Sequence, residues 1–316
     1  MPRVSVIIPA SNPGPYLRTA LQSVCDQTFT DWEIVVVDDG SKEDLSHLEH
    51  EFPQVKFIKN ERQSGAAFSR NVGIDNTSGD LIAFLDCDDV WRTTKLMSQV
   101  EAIETDQAIA LCYTDYEVMD RSGCVVGSSQ QSASFGVINT FCAGRDSFRA
   151  LAKVHIATAS CVMVRRSAVP EPGLFDASLS CCEDFDAWLN LCTKYKSVYL
   201  NSVEVAYRTH PGQMTRSENY IWSSDNEKVW GKYIDLANEN QDPELAQAAR
   251  TMQLRARRNY CALAYENARA AWKGGDFAVM CKFLSRSLML DRQFALAQMR
   301  LWLSVRAPGR VQAGNK

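Results

Sequence analysis

The sequence lacks any apolar run approaching the roughly 18 uncharged residues of a membrane-spanning helix, although its 316 residues, 46% of them apolar, are enough to build a substantial core. It opens straight into a β-like segment, with no basic stretch followed by an apolar signal core, so export is not expected. Its eleven cysteines are an odd number without a Cys-x-x-Cys pair. That excludes the common zinc-ribbon spacing and a disulfide framework, and it fits thiols in a reducing cytoplasm. No Gly-x-x-x-x-Gly-Lys-Ser/Thr loop is present, which excludes a P-loop. The first strand is not followed by Gly-x-Gly-x-x-Gly, which argues against a dinucleotide site, and no Gly-x-Ser-x-Gly elbow marks a serine hydrolase.

The net charge of −4 conceals a split. Residues 250–316 hold thirteen Lys and Arg against three acids, a balance of +10, and the remainder of the chain is strongly acidic. Such asymmetry suits either a helical tail with solvated charges or a basic surface beside an anionic membrane. Nucleic acid is not an expected partner. The length suggests two domains, and the patterns place them at 1–215 and 216–316.

Gly79-Asp80-Leu81-Ile82-Ala83-Phe84-Leu85-Asp86-Cys87-Asp88-Asp89 carries most of the information. Five apolar residues after a Gly-Asp turn predict a strand buried on both faces, as in a parallel sheet. The run stops at three carboxylates, and ligands of open α/β sheets bind beyond the carboxyl ends of such strands. Asp86 and Asp88 are two apart, so in an extended segment they point the same way. Two hard oxygen donors there suit Mg²⁺ or Mn²⁺, which take their remaining ligands from phosphate and water.

Read in order, residues 4–9 predict a first strand ended by Pro9. Residues 16–25 predict a helix, 34–37 a strand running into Asp38-Asp39-Gly40-Ser41, 42–51 a helix, 55–58 a strand and 65–76 a helix, before the strand at 81–85. This alternation predicts an α/β fold with a mostly parallel, Rossmann-like sheet. Further on, 93–105 reads as a helix, 108–113 as a strand, 116–126 as a hairpin, and 127–140 as a long Ser/Gln-rich loop. Residues 160–164, 198–200 and 203–207 read as strands, and Glu183-Asp184 opens a helix. From about residue 217 the pattern is helical, with a hairpin that sets Cys261, Ala264, Ala268 and Ala271 against Phe277, Met280, Cys281, Leu284 and Leu288.

Acidic clusters thus fall at Asp38/Asp39, Asp86/Asp88/Asp89 and Glu183/Asp184. Gathered in one pocket they would repel one another unless cations balanced them. A metal ion chelated by a nucleoside diphosphate attached to a sugar would do so, and Arg70 offers charge-assisted bonds to phosphate.

The segments Val-Ser-Val-Ile-Ile-Pro (4–9), Val-Val-Val-Asp-Asp-Gly-Ser (35–41), Gly65 with Arg70-Asn71-Val72-Gly73, Gly79-Asp80 with Asp86-Cys87-Asp88-Asp89, Glu183-Asp184 and Tyr207-Arg208-x-His210 resemble, in unbroken order, family 2 glycosyltransferases of the GT-A fold. The resemblance covers about residues 3–215. It implies an inverting enzyme of the hexosyltransferase kind that uses a nucleotide-sugar donor, most simply UDP-linked, and Mn²⁺ or Mg²⁺. Asp39 then matches the aspartate on the uracil ring, with Pro9 and Ser11 at the base and Arg70 near base and phosphates. Asp86 and Asp88 match the DxD pair, the first toward ribose and metal and the second on the metal. Asp184 matches the general base, and His210 a position that completes the metal shell in some relatives. The implied acceptor is a glycan or lipid-linked saccharide of surface polysaccharide synthesis, and the implied location is the cytoplasm or the inner face of the plasma membrane.

Two positions depart from the family pattern: Ser11 stands where an aromatic residue is frequent, and Gln63 where asparagine is common. The Gln-x-x-Arg-Trp motif of processive synthases is absent. A GT-A domain that binds the nucleotide without transfer, and a sugar nucleotidyltransferase, are the alternatives. At Asp184 the like charges of Glu183 and Asp186 raise the pKa while a helix N-terminus lowers it, and the sequence leaves the outcome open.

Overall fold

The structure is a computed structural model and describes residues 1–128, 140–142, 146–148, 151, 158–213 and 224–306. The chain divides into two compact units, Met1–Met214 and Thr215–Lys316. The long loop expected at 127–140 lies mostly outside the described residues.

The first unit is a mixed sheet with helices packed on it. Its strands are β1 (Val4–Ala10), β2 (Trp32–Asp38), β3 (Val55–Lys59), β4 (Leu81–Phe84), β5 (Val90–Trp91), β6 (Ile109–Met119), β7 (Val125–Ser128), β8 (Thr140–Cys142), β9 (Val162–Arg165) and β10 (Lys196–Arg208). The order along the sheet is β3-β2-β1-β4-β9-β6-β10-β5. Pairs within β3-β2-β1-β4 are parallel, as is β6 with β10, whereas β9 runs antiparallel between β4 and β6. The helices are α1 (Tyr16–Cys25), α2 (Ser46–Glu51), α3 (Ala66–Asp75), α4 (Lys95–Glu104) and α5 (Glu183–Lys194).

Every residue of β1 is buried, Ser5 included, as its mostly apolar run predicts. Pro9 does not end the strand, contrary to expectation. Ile7 O accepts from Leu85 N at 3.0 Å, so Pro9, two residues on, faces the same side. The β1–β4 pairing stops at Ile7 with Phe84, so the missing N–H of Pro9 falls where no ladder bond exists. On the other face α3 lies close against β1. A Cβ on Gly73 would sit 2.4 Å from Ile7 Cγ2, so only glycine permits the approach.

Other boundaries shift for local reasons. Asp44 Oδ1 receives Ser46 N at 3.0 Å, and that turn delays α2 to residue 46. Residues 159–161 form a 3₁₀ turn capped by the Thr158 side chain, and β9 starts only at Val162. The two short strands expected after residue 198 are one strand, β10, because Asn201-Ser202 is absorbed at a register shift rather than a turn. Ala10 is level with Asp38, and Ile7 with Phe84, so the loops after β1, β2 and β4 leave the same edge of the sheet.

The second unit holds α6 (Ser224–Glu239), α7 (Pro243–Lys273), α8 (Phe277–Leu290) and α9 (Arg292–Arg306). Asp242 caps α7 through Leu245 N, and Asp276 caps α8 through Val279 N, each at 3.0 Å. The α7–α8 contact is built on Ala264, Ala268 and Phe283, with Val279, Met280 and Leu284 around it. Cys281 is exposed and lies outside the seam the spacing suggested, while Phe277, 59% exposed, keeps an edge contact with the Trp272 ring of α7, centres 5.1 Å apart. The cap at Asp276 sets the helix phase, and Phe283 takes the buried place.

Candidate active site

The loop after β2 turns at Gly40, φ +70°, and delivers a buried carboxylate. Asp39 Oδ1 accepts from Asn60 Nδ2 (2.9 Å) and Ser64 N (2.8 Å), and Oδ2 accepts from Gly65 N (2.8 Å). Gly65 precedes α3 and has no side chain to cap it, so Asp39 serves the N–H groups there from the neighbouring strand. Three of the four lone-pair directions of the carboxylate are thus used. Ser11 is exposed, its Oγ accepting from Gln63 Nε2 at 3.2 Å. Asn12 N donates to Ser41 Oγ (2.8 Å) and Lys42 N to Asn12 Oδ1 (3.0 Å), lacing the first two loops together.

Arg70 is held by carboxylates of the chain itself. Its guanidinium is buried, with Nη2 2.7 Å from Asp86 Oδ1 and Nη1 2.7 Å from Glu183 Oε1, and it lies 5.4 Å from the centre of the Phe175 ring. Burial pulls its pKa down, but Asp86, Glu183 and Asp184 together more than reverse this and hold it charged. Part of the balancing cation that the acidic clusters demand is therefore a side chain of the protein itself.

Asp184 lies in the first turn of α5. The residue before the helix, Cys182, has φ +61°, which is costly for a non-glycine residue. Trp188 on the same helix packs against Phe84 and Phe175, ring centres 5.6 and 5.5 Å away, fixing the helix over β4. Burial and Glu183 push the Asp184 carboxyl up to about 7, against Arg70 and the bond from Phe185 N to its Oδ1 (2.7 Å). Burial, absent from the sequence argument, is the largest influence, and it decides the direction.

Asp86 and Asp88 have different partners. Asp86 faces Arg70 and receives Thr158 Oγ1 at 3.2 Å. Asp88 Oδ2 lies 2.9 Å from His210 Nε2. Burial and Asp86 raise the Asp88 carboxyl, and His210 opposes them. Asp89, expected at the ligand edge, is fully buried and bonded to Ser160 and Arg208. Among the described residues no three His, Cys, Asp or Glu side chains are grouped to hold a metal. The pair that could hold one is Asp88 and His210, a carboxylate oxygen and an imidazole nitrogen hydrogen-bonded to each other at 2.9 Å. That suits a small hard cation which draws its other ligands from phosphate and water.

Thr158, Ser160 and Tyr16 also belong to this site and were not singled out from the sequence, where Glu183 and Arg208 stood only as members of an acidic cluster and a motif. The Arg208 guanidinium lies 4.7 Å from the Tyr16 ring, and the His210 ring 5.0 Å from it. The Thr-x-Ser spacing just ahead of β9 is the one local signal for the hydroxyl pair.

Carboxylates at the tips of β2 and β4 and at the start of α5, on a mixed sheet with parallel β3-β2-β1-β4, define a GT-A type fold. The sequence model of "Glycosyl transferase family 2" matches residues 5–171, more than half of the chain, and the chain belongs to that family. Asp184 and His210 lie beyond the matched stretch. The chain is similar to the Escherichia coli UDP-Glc:alpha-D-GlcNAc-diphosphoundecaprenol beta-1,3-glucosyltransferase WfaP, at 28% identity over 69% of this chain and 82% of WfaP. It is 35% identical to the Bacillus subtilis putative teichuronic acid biosynthesis glycosyltransferase TuaG, over 39% of this chain and 50% of TuaG. The E. coli enzyme WfgD, which bears the same activity name as WfaP, is 35% identical over 39% of this chain and 49% of its own. The chain thus spans about half the length of the latter two relatives. In fold it resembles S. aureus TarS 1-349 crystallised with UDP-GlcNAc, with TM-score 0.60 and 16% identity over 92% of each chain.

Proposed function

We propose that this chain moves a sugar from a UDP-sugar to a lipid-linked saccharide by a single inverting displacement, with Asp184 as general base. The observation that carries the reading is the state of Asp184: a partly buried carboxyl at a helix start, its pKa brought to about 7. Such a group is available as a base near neutral pH and strong enough to take a proton from a hydroxyl under attack. The acceptor oxygen bonds the anomeric carbon as the bond to diphosphate breaks. The hydroxyl proton passes to Asp184, and negative charge leaves with the nucleotide. Attack opposite the leaving group turns an α-linked donor into a β-linked product, the linkage in the names of both E. coli relatives. Those names also make UDP-glucose and a GlcNAc-diphosphoundecaprenol the first substrates to try.

Asp39, with its one open lone-pair direction, together with Pro9 and Ser11, would receive the base, and Asp86 the ribose. Arg70 works from behind Asp86 and Glu183, bonded to both carboxylates at 2.7 Å rather than gripping phosphate. Asp88 and His210 would hold Mn²⁺ or Mg²⁺, which when bound offsets the charge that builds on the departing diphosphate. For a lipid-linked acceptor, the +10 balance of residues 250–316 supports contact with an anionic membrane face. Among the described residues no helix is long and apolar enough to cross a membrane.

The test is transfer from UDP-glucose to the diphosphoundecaprenol acceptor, with the product anomer read by NMR. A β-linked product that requires Asp184 supports the reading. A retained α configuration, or near wild-type transfer by folded Asp184→Asn, overturns it. Equal recovery of full-length protein on anionic and zwitterionic vesicles would overturn the membrane contact alone.

A further inference from the structure

The third carboxylate of the acidic triplet contacts no solvent, although it was expected to line the ligand edge. Asp89 is 0% exposed. Its Oδ1 accepts from Arg208 N at 3.0 Å, and its Oδ2 from Ser160 Oγ at 2.6 Å, with Thr158 Oγ1 further off at 3.4 Å. Arg208 returns a second bond, Nε to Asp88 O at 2.8 Å. Ser160 Oγ in turn accepts from Asp86 N at 3.0 Å, so one hydroxyl holds both ends of the turn. These bonds join three separate pieces of chain: the turn after β4, the 3₁₀ turn at 159–161, and the end of β10.

The arrangement has a consequence for the site. Asp88 directly precedes Asp89, and His210 follows Arg208 by two residues. The contact between Asp88 Oδ2 and His210 Nε2, 2.9 Å, is therefore reached from both chains through residues tied to the Asp89 carboxylate. The segment beyond is closed from the other end: Gln213 N donates to His210 O at 3.2 Å, His210 N donates to Gln213 Oε1 at 3.2 Å, and the Tyr16 ring backs both His210 and Arg208. A buried carboxylate is costly unless its bonds are met. Those named here lead to segments that carry Asp86, Asp88 or His210.

We propose that Asp89 is a positioning residue which, through Arg208 and Ser160, sets the separation and orientation of Asp88 and His210. The proposal rests on the reading of that pair as the metal-binding donors. It does not touch substrate. Its effect passes to the reaction through the pair, as outer partners of metal ligands commonly act.

The experiment titrates Mn²⁺ into the full-length protein by electron paramagnetic resonance with UDP present. Asp89→Ala removes the acceptor of Arg208 N and weakens Mn²⁺ binding by about 10–100-fold, the usual effect of losing such a partner. Asp89→Asn keeps an oxygen for Arg208 N and can donate its amide to the Ser160 hydroxyl, so it recovers most of that loss. UDP affinity measured without metal falls less than Mn²⁺ affinity in both. Wild-type Mn²⁺ affinity in folded Asp89→Ala overturns the proposal. If that variant does not fold, Ser160→Ala is read in the same way, with a smaller loss expected and no loss overturning it. Failure of the wild-type protein to bind Mn²⁺ sinks the metal reading instead. Positioning is then decided by a ligand-free crystal structure of Asp89→Ala or Ser160→Ala: a parted Asp88–His210 pair supports it, and a pair still hydrogen-bonded refutes it.

Discussion

Replacing Asp184 by asparagine should remove transfer and, above neutral pH, make the protein more stable. The carboxyl has its pKa raised from 3.8 to about 7 in the folded chain. A raised acid favours the protonated form in the native state, so its contribution to stability is greatest below about pH 3.8 and is lost as pH rises through about 7. The difference is about three pH units, which at about 1.36 kcal/mol per unit sets an upper bound of about 4 kcal/mol. Asp184 keeps partial exposure, and solvent screening reduces this to about 1–3 kcal/mol. Asparagine cannot ionise, and its side-chain oxygen can still accept from Phe185 N as Asp184 Oδ1 does. The variant should therefore gain on wild type as pH rises from 5 to 8, read from urea unfolding midpoints at each pH. Wild-type kcat/KM should climb with pH until about 7 and then level. A stability gap that stays constant with pH, or transfer by the folded variant, would refute the reasoning, because both results follow from one buried carboxyl.

Arg70→Met leaves Asp86 and Glu183 without their cation, and breaking such a buried pair costs about 3–5 kcal/mol, or roughly 6–20 °C in melting temperature for a unit of this size. Adding Glu183→Gln should restore part of this, and a single variant that melts with wild type would show the bridge to be unimportant. His210→Ala should weaken Mn²⁺ binding, seen as a higher metal concentration for half-maximal rate. Gly73→Ala puts a Cβ into Ile7, 2.4 Å away, and such overpacking should cost about 1–3 kcal/mol in denaturant titration, with the slope unchanged.

Much of the fold could be read along the chain because it rests on local patterns. Mostly apolar runs at Val4–Ala10 and Leu81–Phe84 make buried strands, Gly40 turns the loop after β2, and Asp242 and Asp276 start helices within a few residues of themselves. The acidic clusters were legible for the same reason, since two of them lie at the end of such a run and Glu183/Asp184 at a helix start. Strand direction was less so. Nothing in Val162–Arg165 distinguishes a parallel from an antiparallel neighbour, and only its seat between β4 and β6 decides.

The amino-acid order by itself determined which carboxylates would stand at the sheet edge, because the period of a strand and the chemistry of its terminating turn act over a few residues. Tertiary structure alone decided what each carboxylate does. Arg70 meets Glu183 across 113 positions and Arg208 meets Asp89 across 119, distances over which no local pattern carries information. Burial, which lifts Asp184 to about 7 and closes Asp89 off from water, belongs to no residue until the elements have packed around it.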